Sequence, residues 1–303
     1  MQQQFTYQSL LETSKRINWR LDDLVGSDKR LDFSKPFLPE TFVRAERLAF
    51  LSPSERLTLN HIRSRGYLAL FELVETFIMP FIDQQADVAA GSDPFRGPAL
   101  KQFAGEEAKH MELFRRSLAE FDESFGVPCA LIGPAHDIAD AILGHDPLAV
   151  AIATLGLEWM SQGHYVESIK DDRDLDPQFK NLLKHHWMEE AQHAKLDALM
   201  LQSMAAARSA EEISRAIDEY FEIGALFDGG FKQQAAFDLD ALERARARPF
   251  PATQRAEFLE IQHQALRWTF LGSAMRNKNF LAGLASLGEQ HRARVEQAAA
   301  GLC

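Results

Sequence analysis

Two short acidic segments that each end in histidine carry the clearest chemical signal in this sequence. "EEAKH" occupies residues 106–110, and "EEAQH" occupies residues 189–193. In each segment a glutamate precedes the histidine by three residues, so both side chains lie on one side of a helix and can bind the same metal cluster. A third such pair, Glu260 with His263, lacks the preceding glutamate and a matching partner. We therefore interpret that third pair as accidental.

Two further glutamates stand in otherwise apolar helical segments. Glu72 lies within "GYLALFELVETFIMPFI", residues 66–82, and Glu158 follows the apolar run of "PLAVAIATLGLEWM", residues 147–160. A single glutamate of this kind is usually partly solvated or neutral. An unpaired buried carboxylate is costly, so two of them in matching positions are candidate metal ligands.

The elements that must position these residues are predicted to be four long helices. A capping serine, a proline and a capping-box glutamate at Ser52–Glu55 begin the first helix, and Asp-Pro pairs begin the third and fourth. Residues 126–145 read as a crossover between two helical hairpins, and Pro80 is expected to kink the last turn of the first helix. The predicted helices cover about 53–84, 96–124, 147–171 and 177–207.

The four glutamates fall at matching heights in this arrangement. Glu72 lies 12 residues before the predicted helix end at 84, and Glu107 lies 11 residues after 96. Glu158 and Glu190 are each 13 residues from the turn of the second hairpin. Residues equally far from the turn of an antiparallel hairpin lie side by side, so we expect one layer of four carboxylates.

Two other glutamates compete for this layer. Glu75 lies one turn from Glu72, but its height matches Glu107 less well. Glu167 lies nine residues past Glu158, on the opposite face and within a polar helix end, so we interpret it as solvated.

The combined pattern resembles the ferritin-like di-iron carboxylate superfamily over roughly residues 53–207. The resemblance implies an all-α fold, in which a four-helix bundle of two antiparallel hairpins carries additional N- and C-terminal helices. We expect a single domain spanning 1–303, with an N-terminal extension at 1–52, the bundle at 53–207, and further helices packed on it at 208–303. The metal ligands that the resemblance implies are Glu72, Glu107, His110, Glu158, Glu190 and His193.

The ligand set also indicates the metal. Four carboxylates balance two divalent cations, so the reduced site can be buried as a nearly neutral unit. Hard oxygen ligands and imidazoles suit iron, with manganese as the alternative. We therefore expect two iron ions per chain.

A further histidine extends the basic pattern. His186 precedes Glu190 by four residues and His193 by seven, so the three share one helix stripe. One interpretation is a surface histidine beside His185. The other is a third histidine ligand, which resembles the di-iron aminoarene N-oxygenases and distinguishes them from storage ferritins and ribonucleotide reductase subunits. Tyr165 shares the face of Glu158 and either lines the site or packs in the core.

The first glutamate of each acidic segment has its own predicted role. A metal-bound imidazole normally donates its second N–H to an acceptor. We predict crossed pairs, in which Glu189 accepts from His110 and Glu106 accepts from His193. The alternative is that both glutamates face solvent.

Composition limits the partners. A net charge of −11 argues against nucleic acid or an anionic membrane as the main partner. The only cysteines, Cys129 and Cys303, form no disulfide framework, and the chain shows neither a signal peptide nor a membrane span, which favours a cytoplasmic location.

Three classes of function fit these residues. The first is a di-iron oxygenase that activates O2 to oxidise a small organic substrate, with an amine as one option. The second is a ferroxidase or iron-handling protein, and the third is a helical protein that the metal only stabilises. The residues outside the bundle favour the oxygenase because a minimal ferritin needs neither extension. The expected partners are a small-molecule substrate, O2 and an electron donor, with a homodimer as an option.

Overall fold

The computed structural model describes residues 5–26, 29–88 and 93–302. Within these ranges the chain forms helices and connecting segments, and it has no β-strand. Cys129 is a free thiol. Cys303, the other cysteine, lies outside the described ranges. No helix in the described ranges is both long enough and apolar enough to cross a bilayer.

Four long helices form the centre of the molecule, as the sequence predicts. They are α3 (Pro53–Asp87), α4 (Arg96–Phe125), α6 (Pro147–Gly163) and α7 (Pro177–Ala205). α3 packs on α4, and α6 packs on α7, so each pair is an antiparallel hairpin. α4 also contacts α7, which brings the two acidic segments together.

The remaining helices surround this bundle. The N-terminal residues form α1 (Tyr7–Ser14) and α2 (Glu40–Val43), and the crossover contains α5 (Ala135–Leu143). The C-terminal part contains α8 (Ala210–Ala245), α9 (Ala252–Arg267), α10 (Ser273–Arg276), α11 (Lys278–Leu287) and α12 (Glu289–Ala299). Among the contacts, α1 packs on α4 and α7, and α8 packs on α3 and α6.

The helix starts follow the predicted capping signals. The Ser52 and Glu55 side chains each accept a hydrogen bond from the other's backbone N–H, and Asp146 and Asp176 cap α6 and α7. Ser209 and Glu212 form a second capping box at the start of α8.

Two helix ends differ from the sequence prediction. α3 continues to Asp87, three residues beyond the predicted end, and the exposed Pro80 lies inside this helix. α6 ends at Gly163, where a π-helical turn, His164–Ile169, replaces the regular helix predicted to 171. A second π-helical turn, Trp268–Gly272, links α9 to α10.

Candidate metal centre

The two acidic segments meet in the interior of the bundle. α4 supplies Glu107 and His110, and α7 supplies Glu190 and His193, and all four side chains are buried. His110 Nδ1 lies 2.9 Å from Glu190 Oε1, and His193 Nδ1 lies 3.0 Å from Glu107 Oε1. Each of the four residues offers one donor atom, and these four atoms all lie within 4.8 Å of one another. This group is compact enough to surround one metal ion.

A second group shares His110 and reaches α3. It consists of Glu75, His110 and His186, again with donor atoms within 4.8 Å of one another. His186 Nε2 lies 3.6 Å from Glu75 Oε1 and 3.0 Å from Glu190 Oε1. His186 therefore points into the cluster and not toward solvent, as the third-histidine interpretation requires.

Glu158 completes the cluster from α6. It is buried, and it lines the same small cavity as Glu75, Glu107, His186 and Glu190. Burial and the neighbouring Glu190 carboxylate raise the pKa of Glu158 well above its usual range. Glu158 does not belong to either compact group of donor atoms, so it lies at the edge of the cluster.

The structure corrects the choice of glutamate on α3. Glu72 is not in the cluster. Its side chain is 28% exposed, and it lies 3.6 Å from Arg115 Nε. Glu75 occupies the expected position because α3 ends at Asp87 and not at 84. The error of three residues in the predicted end moves the matching height by nearly one turn, from Glu75 to Glu72.

Both crossed hydrogen bonds between the segments are present. His110 Nε2 lies 2.9 Å from Glu189 Oε2, and His193 Nε2 lies 2.9 Å from Glu106 Oε2. If each imidazole donates its Nε2–H outward, its Nδ1 lone pair faces the cluster, which is the tautomer that a metal ligand needs. Glu106 and Glu189 are therefore not surface residues. The hydrogen bond and charge of His193 hold the pKa of Glu106 at about 2 despite its burial.

The N-terminal segment contributes contacts that the sequence does not reveal. Ser14, at the end of α1, donates a short hydrogen bond to Glu106. The Trp19 ring lies parallel to the His110 ring at 6.1 Å, and Lys109 Nζ lies 3.9 Å from the centre of the Trp19 ring while it contacts Glu189. These residues come together only through tertiary packing, so no local pattern marks them.

Asp197 is a second residue that sequence reasoning missed. It lies one turn beyond His193 and is fully buried, and neither of its carboxylate oxygens has a hydrogen-bond partner among the described residues. Burial raises the pKa of Asp197 well above its usual range. Asp197 follows His193 by four residues, and this helical spacing is the sequence signal that could have identified it.

The other candidates lie elsewhere. Glu167 is exposed, and Glu260 is exposed beside His263, which contacts Asp228. Tyr165 stacks on Trp187 and does not line the cluster cavity.

The donor atoms at the centre of the cluster fit a bound cation. Several of these atoms are buried but have no aligned hydrogen bond within the described ranges. They are Glu75 Oε2, Glu107 Oε1, His110 Nδ1, Glu158 Oε2 and Glu190 Oε1. Buried polar atoms are normally paired. Converging, unpaired lone pairs of this kind are what two metal ions would satisfy.

Electrostatics support the same interpretation. Burial raises the pKa of Glu75 to about 8, although the His186 hydrogen bond opposes this shift. The pKa values of His110 and His193 are raised despite their burial because carboxylates surround both rings. In the metal-free chain, protons thus supply the positive charge that metal ions would otherwise bring.

No protein-family model matches the sequence, and no curated protein matches it either. Among solved structures, dimanganese(II)-NrdF from Streptococcus sanguinis is similar over 93% of this chain and 88% of its own, at 14% identity and a TM-score of 0.51. An R2-like ligand-binding oxidase, described with an aerobically reconstituted metal cofactor after photoconversion, aligns over 89% and 94% of the two chains at 17% identity and a TM-score of 0.46.

The first of these similarities is strong enough to compare folds. It agrees with the two antiparallel hairpins and the surrounding helices of this chain. The predicted all-α architecture is therefore confirmed. The chain has a helical-bundle fold similar to that of dimanganese(II)-NrdF, with a cluster of glutamates and histidines at its centre.

Proposed function

We propose that this chain is an oxidoreductase that uses O2 and two bound iron ions to oxidise a small organic molecule. The observation that supports this proposal is the buried cluster with unpaired donor atoms on all four bundle helices. The residues that would hold the metal are Glu75, Glu107, His110, Glu158, His186, Glu190 and His193. Manganese is the alternative metal, because the donor set does not discriminate by affinity alone.

When bound, reduced iron would supply electrons to O2. The chain's own residues prepare the site for this chemistry. Glu189 and Glu106 hold the proton of each imidazole at Nε2, which fixes the ring orientation and strengthens Nδ1 as a donor. Phe71, Val74 and Ile78 line the cavity beside the carboxylates and exclude bulk water from it.

His186 supports the more specific proposal that the substrate is an amine. The side chain lies within the donor group of Glu75 and His110, which is the third-histidine arrangement that resembles the aminoarene N-oxygenases. N-oxygenation would insert one oxygen atom of O2 into the substrate and release the other as water. Of the four electrons that O2 accepts, the amine would supply two and the two ferrous ions would supply the other two, which an external donor would restore before the next turnover.

One observation favours iron handling as a second candidate. The cavity beside the cluster leaves only about 10 Å³ for the centre of a water-sized sphere. That space holds a single very small molecule and no aromatic ring. A ferroxidase, in which iron itself is the substrate, needs no larger pocket, whereas an amine oxygenase requires side chains such as Phe71 or Leu157 to move.

Single-turnover reactions distinguish the two candidates. The protein is loaded with ferrous iron without oxygen, mixed with aniline or 4-aminophenol, and exposed to ¹⁸O₂. The oxygenase proposal predicts an ¹⁸O-labelled hydroxylamine by mass spectrometry, because one diferrous cluster and one O2 oxidise the amine by only two electrons. A Glu107→Ala control should form none. Rapid O2 consumption with no labelled product, and with iron oxidised and released, would support iron handling.

A further inference from the structure

An apolar cavity lies beside the cluster. It is bounded by α6, α8, the second π-helical turn and α10, and every lining residue except Tyr220 has an apolar side chain or none. Leu157 lines both this cavity and the small cavity at the cluster. Other residues that define the apolar cavity are Ala153, Gly156, Gly224, Phe227 and Phe270.

The size of this cavity restricts what it can hold. It leaves about 20 Å³ for the centre of a water-sized sphere, which is about the space that one small molecule occupies. An aromatic ring would not fit without rearrangement. Water would find almost no hydrogen-bond partners there, and apolar cavities of this kind stay dry and bind apolar gases. A diatomic apolar molecule fits both the volume and the lining.

One side of the apolar cavity lies near the protein surface, because two of its lining residues, Gly224 and Leu271, are partly exposed. Leu157 is also only partly buried, and it directly precedes the buried Glu158 in α6.

We propose that this cavity is a binding site for O2, which reaches the cluster by displacement of the Leu157 side chain. The inference rests on the proposed function, because it assigns the location from which the co-substrate arrives. It applies equally to an oxygenase and to a ferroxidase, since both consume O2.

Xenon is a suitable probe, because it is an apolar gas that binds dry cavities without reacting. Crystals of the iron-loaded, oxidised protein are pressurised with xenon and examined by anomalous diffraction. We expect a xenon peak among Leu157, Gly224 and Phe270. Gly224→Val should remove the peak, because an added Cβ has only Met275 Cε near it, at 4.0 Å, and the branched side chain would fill the cavity.

A matched control and a kinetic measurement complete the test. Gly229→Val lies on the same helix, where an added Cβ meets nothing within 4 Å, and it should retain the xenon peak. With ferrous iron bound, Gly224→Val should slow the second-order reaction with O2 several-fold in stopped-flow measurements. Its iron content should equal that of the wild type, and Gly229→Val should react with O2 at the wild-type rate.

A missing xenon peak in the wild type, or an unchanged O2 rate in Gly224→Val without the peak, would overturn the inference and leave the proposed function intact. A wild-type protein that binds iron and xenon but never consumes O2 would overturn both.

Discussion

At the residue scale, the most direct consequence concerns the two glutamates of α3. Glu75 points into the cluster, whereas Glu72, one turn earlier, contacts Arg115 at the surface. We predict that Glu75→Ala loses at least one of two bound metal ions and that Glu72→Ala retains both. Metal analysis of the two purified variants after iron loading checks this. Equal metal content in both variants would remove Glu75 from the ligand set.

His186 provides a second pair of matched variants. His186 lies 3.0 Å from Glu190 Oε1, whereas Nδ1 of its neighbour His185 bonds the backbone carbonyl of Asn181. His186→Ala should change the visible absorption spectrum of the oxidised, iron-loaded protein without loss of helical content, because it alters the coordination of the metal. His185→Ala should leave the spectrum as in the wild type. A His186→Ala spectrum identical to both others would exclude this histidine as a ligand.

The crossed hydrogen bonds make a third residue-scale prediction. Replacement of an acceptor that orients a metal-bound histidine typically lowers metal affinity by about 10-fold to 100-fold. We expect Glu189→Gln and Glu106→Gln to weaken iron binding by this amount in an anaerobic titration. Glu112→Gln, on the exposed side of α4, should bind iron as the wild type does. Wild-type affinity in both buried variants would show that these carboxylates do not support the site.

At the element scale, one buried amide joins part of the N-terminal segment to the bundle. The Asn60 side chain of α3 accepts from the backbone N–H groups of Phe37 and Leu38 and donates to the Leu38 carbonyl. Asn60→Ala would leave these buried groups unpaired and should lower the free energy of unfolding by about 3 kcal/mol. Chemical denaturation of this variant measures the effect.

The exposed Asn279, whose side chain makes no hydrogen bond in the described structure, provides the control. Asn279→Ala should change stability by less than about 0.5 kcal/mol. If Asn60→Ala were as mild as this control, the N-terminal segment would not depend on Asn60 for its attachment.

Helix starts could be predicted from sequence more accurately than helix ends. The starts of α3, α6 and α7 depend on capping side chains within a few residues, which are visible in the sequence. The end of α3 at Asp87 carries no comparable capping signal, and Pro80 lies inside the helix instead of ending it. The predicted end of α3 was three residues too early, and for that reason Glu72 was predicted in the cluster in place of Glu75.

The same distinction applies to the site. Glu107, His110, Glu190, His193 and their crossed partners share repeated local patterns, so helical periodicity was enough to group them. Trp19 and Ser14 have no such pattern, because their proximity to the cluster depends on how the N-terminal segment packs on α4 and α7. The spacing of residues along one sequence does not specify tertiary contacts between distant segments.

At the scale of the whole molecule, metal binding and folding should be coupled. The cluster joins all four bundle helices, and in the metal-free chain its buried carboxylates depend on protons and histidine charges. A ligand that binds only the folded state at about 100 times its dissociation constant adds about 2.7 kcal/mol of stability. We therefore expect the iron-loaded protein to unfold at a higher temperature than the metal-free protein in calorimetry.

Calorimetry also tests the proposal that residues 1–303 form one domain. The N-terminal and C-terminal helices both pack on the bundle, so we predict a single cooperative transition that shifts as a whole when iron is bound. Two separated transitions, of which only one moves with iron, would divide the chain into two units. An unchanged transition temperature would separate metal binding from folding.

The central claim is that the cluster holds two metal ions, and metal content measures this most directly. The protein is loaded with ferrous iron without oxygen, separated from unbound metal, and analysed for iron and protein by mass spectrometry and amino-acid analysis. We predict two iron ions per chain in the wild type, held by donors from α3, α4, α6 and α7. A value of one or fewer per chain after saturation would contradict the di-metal account.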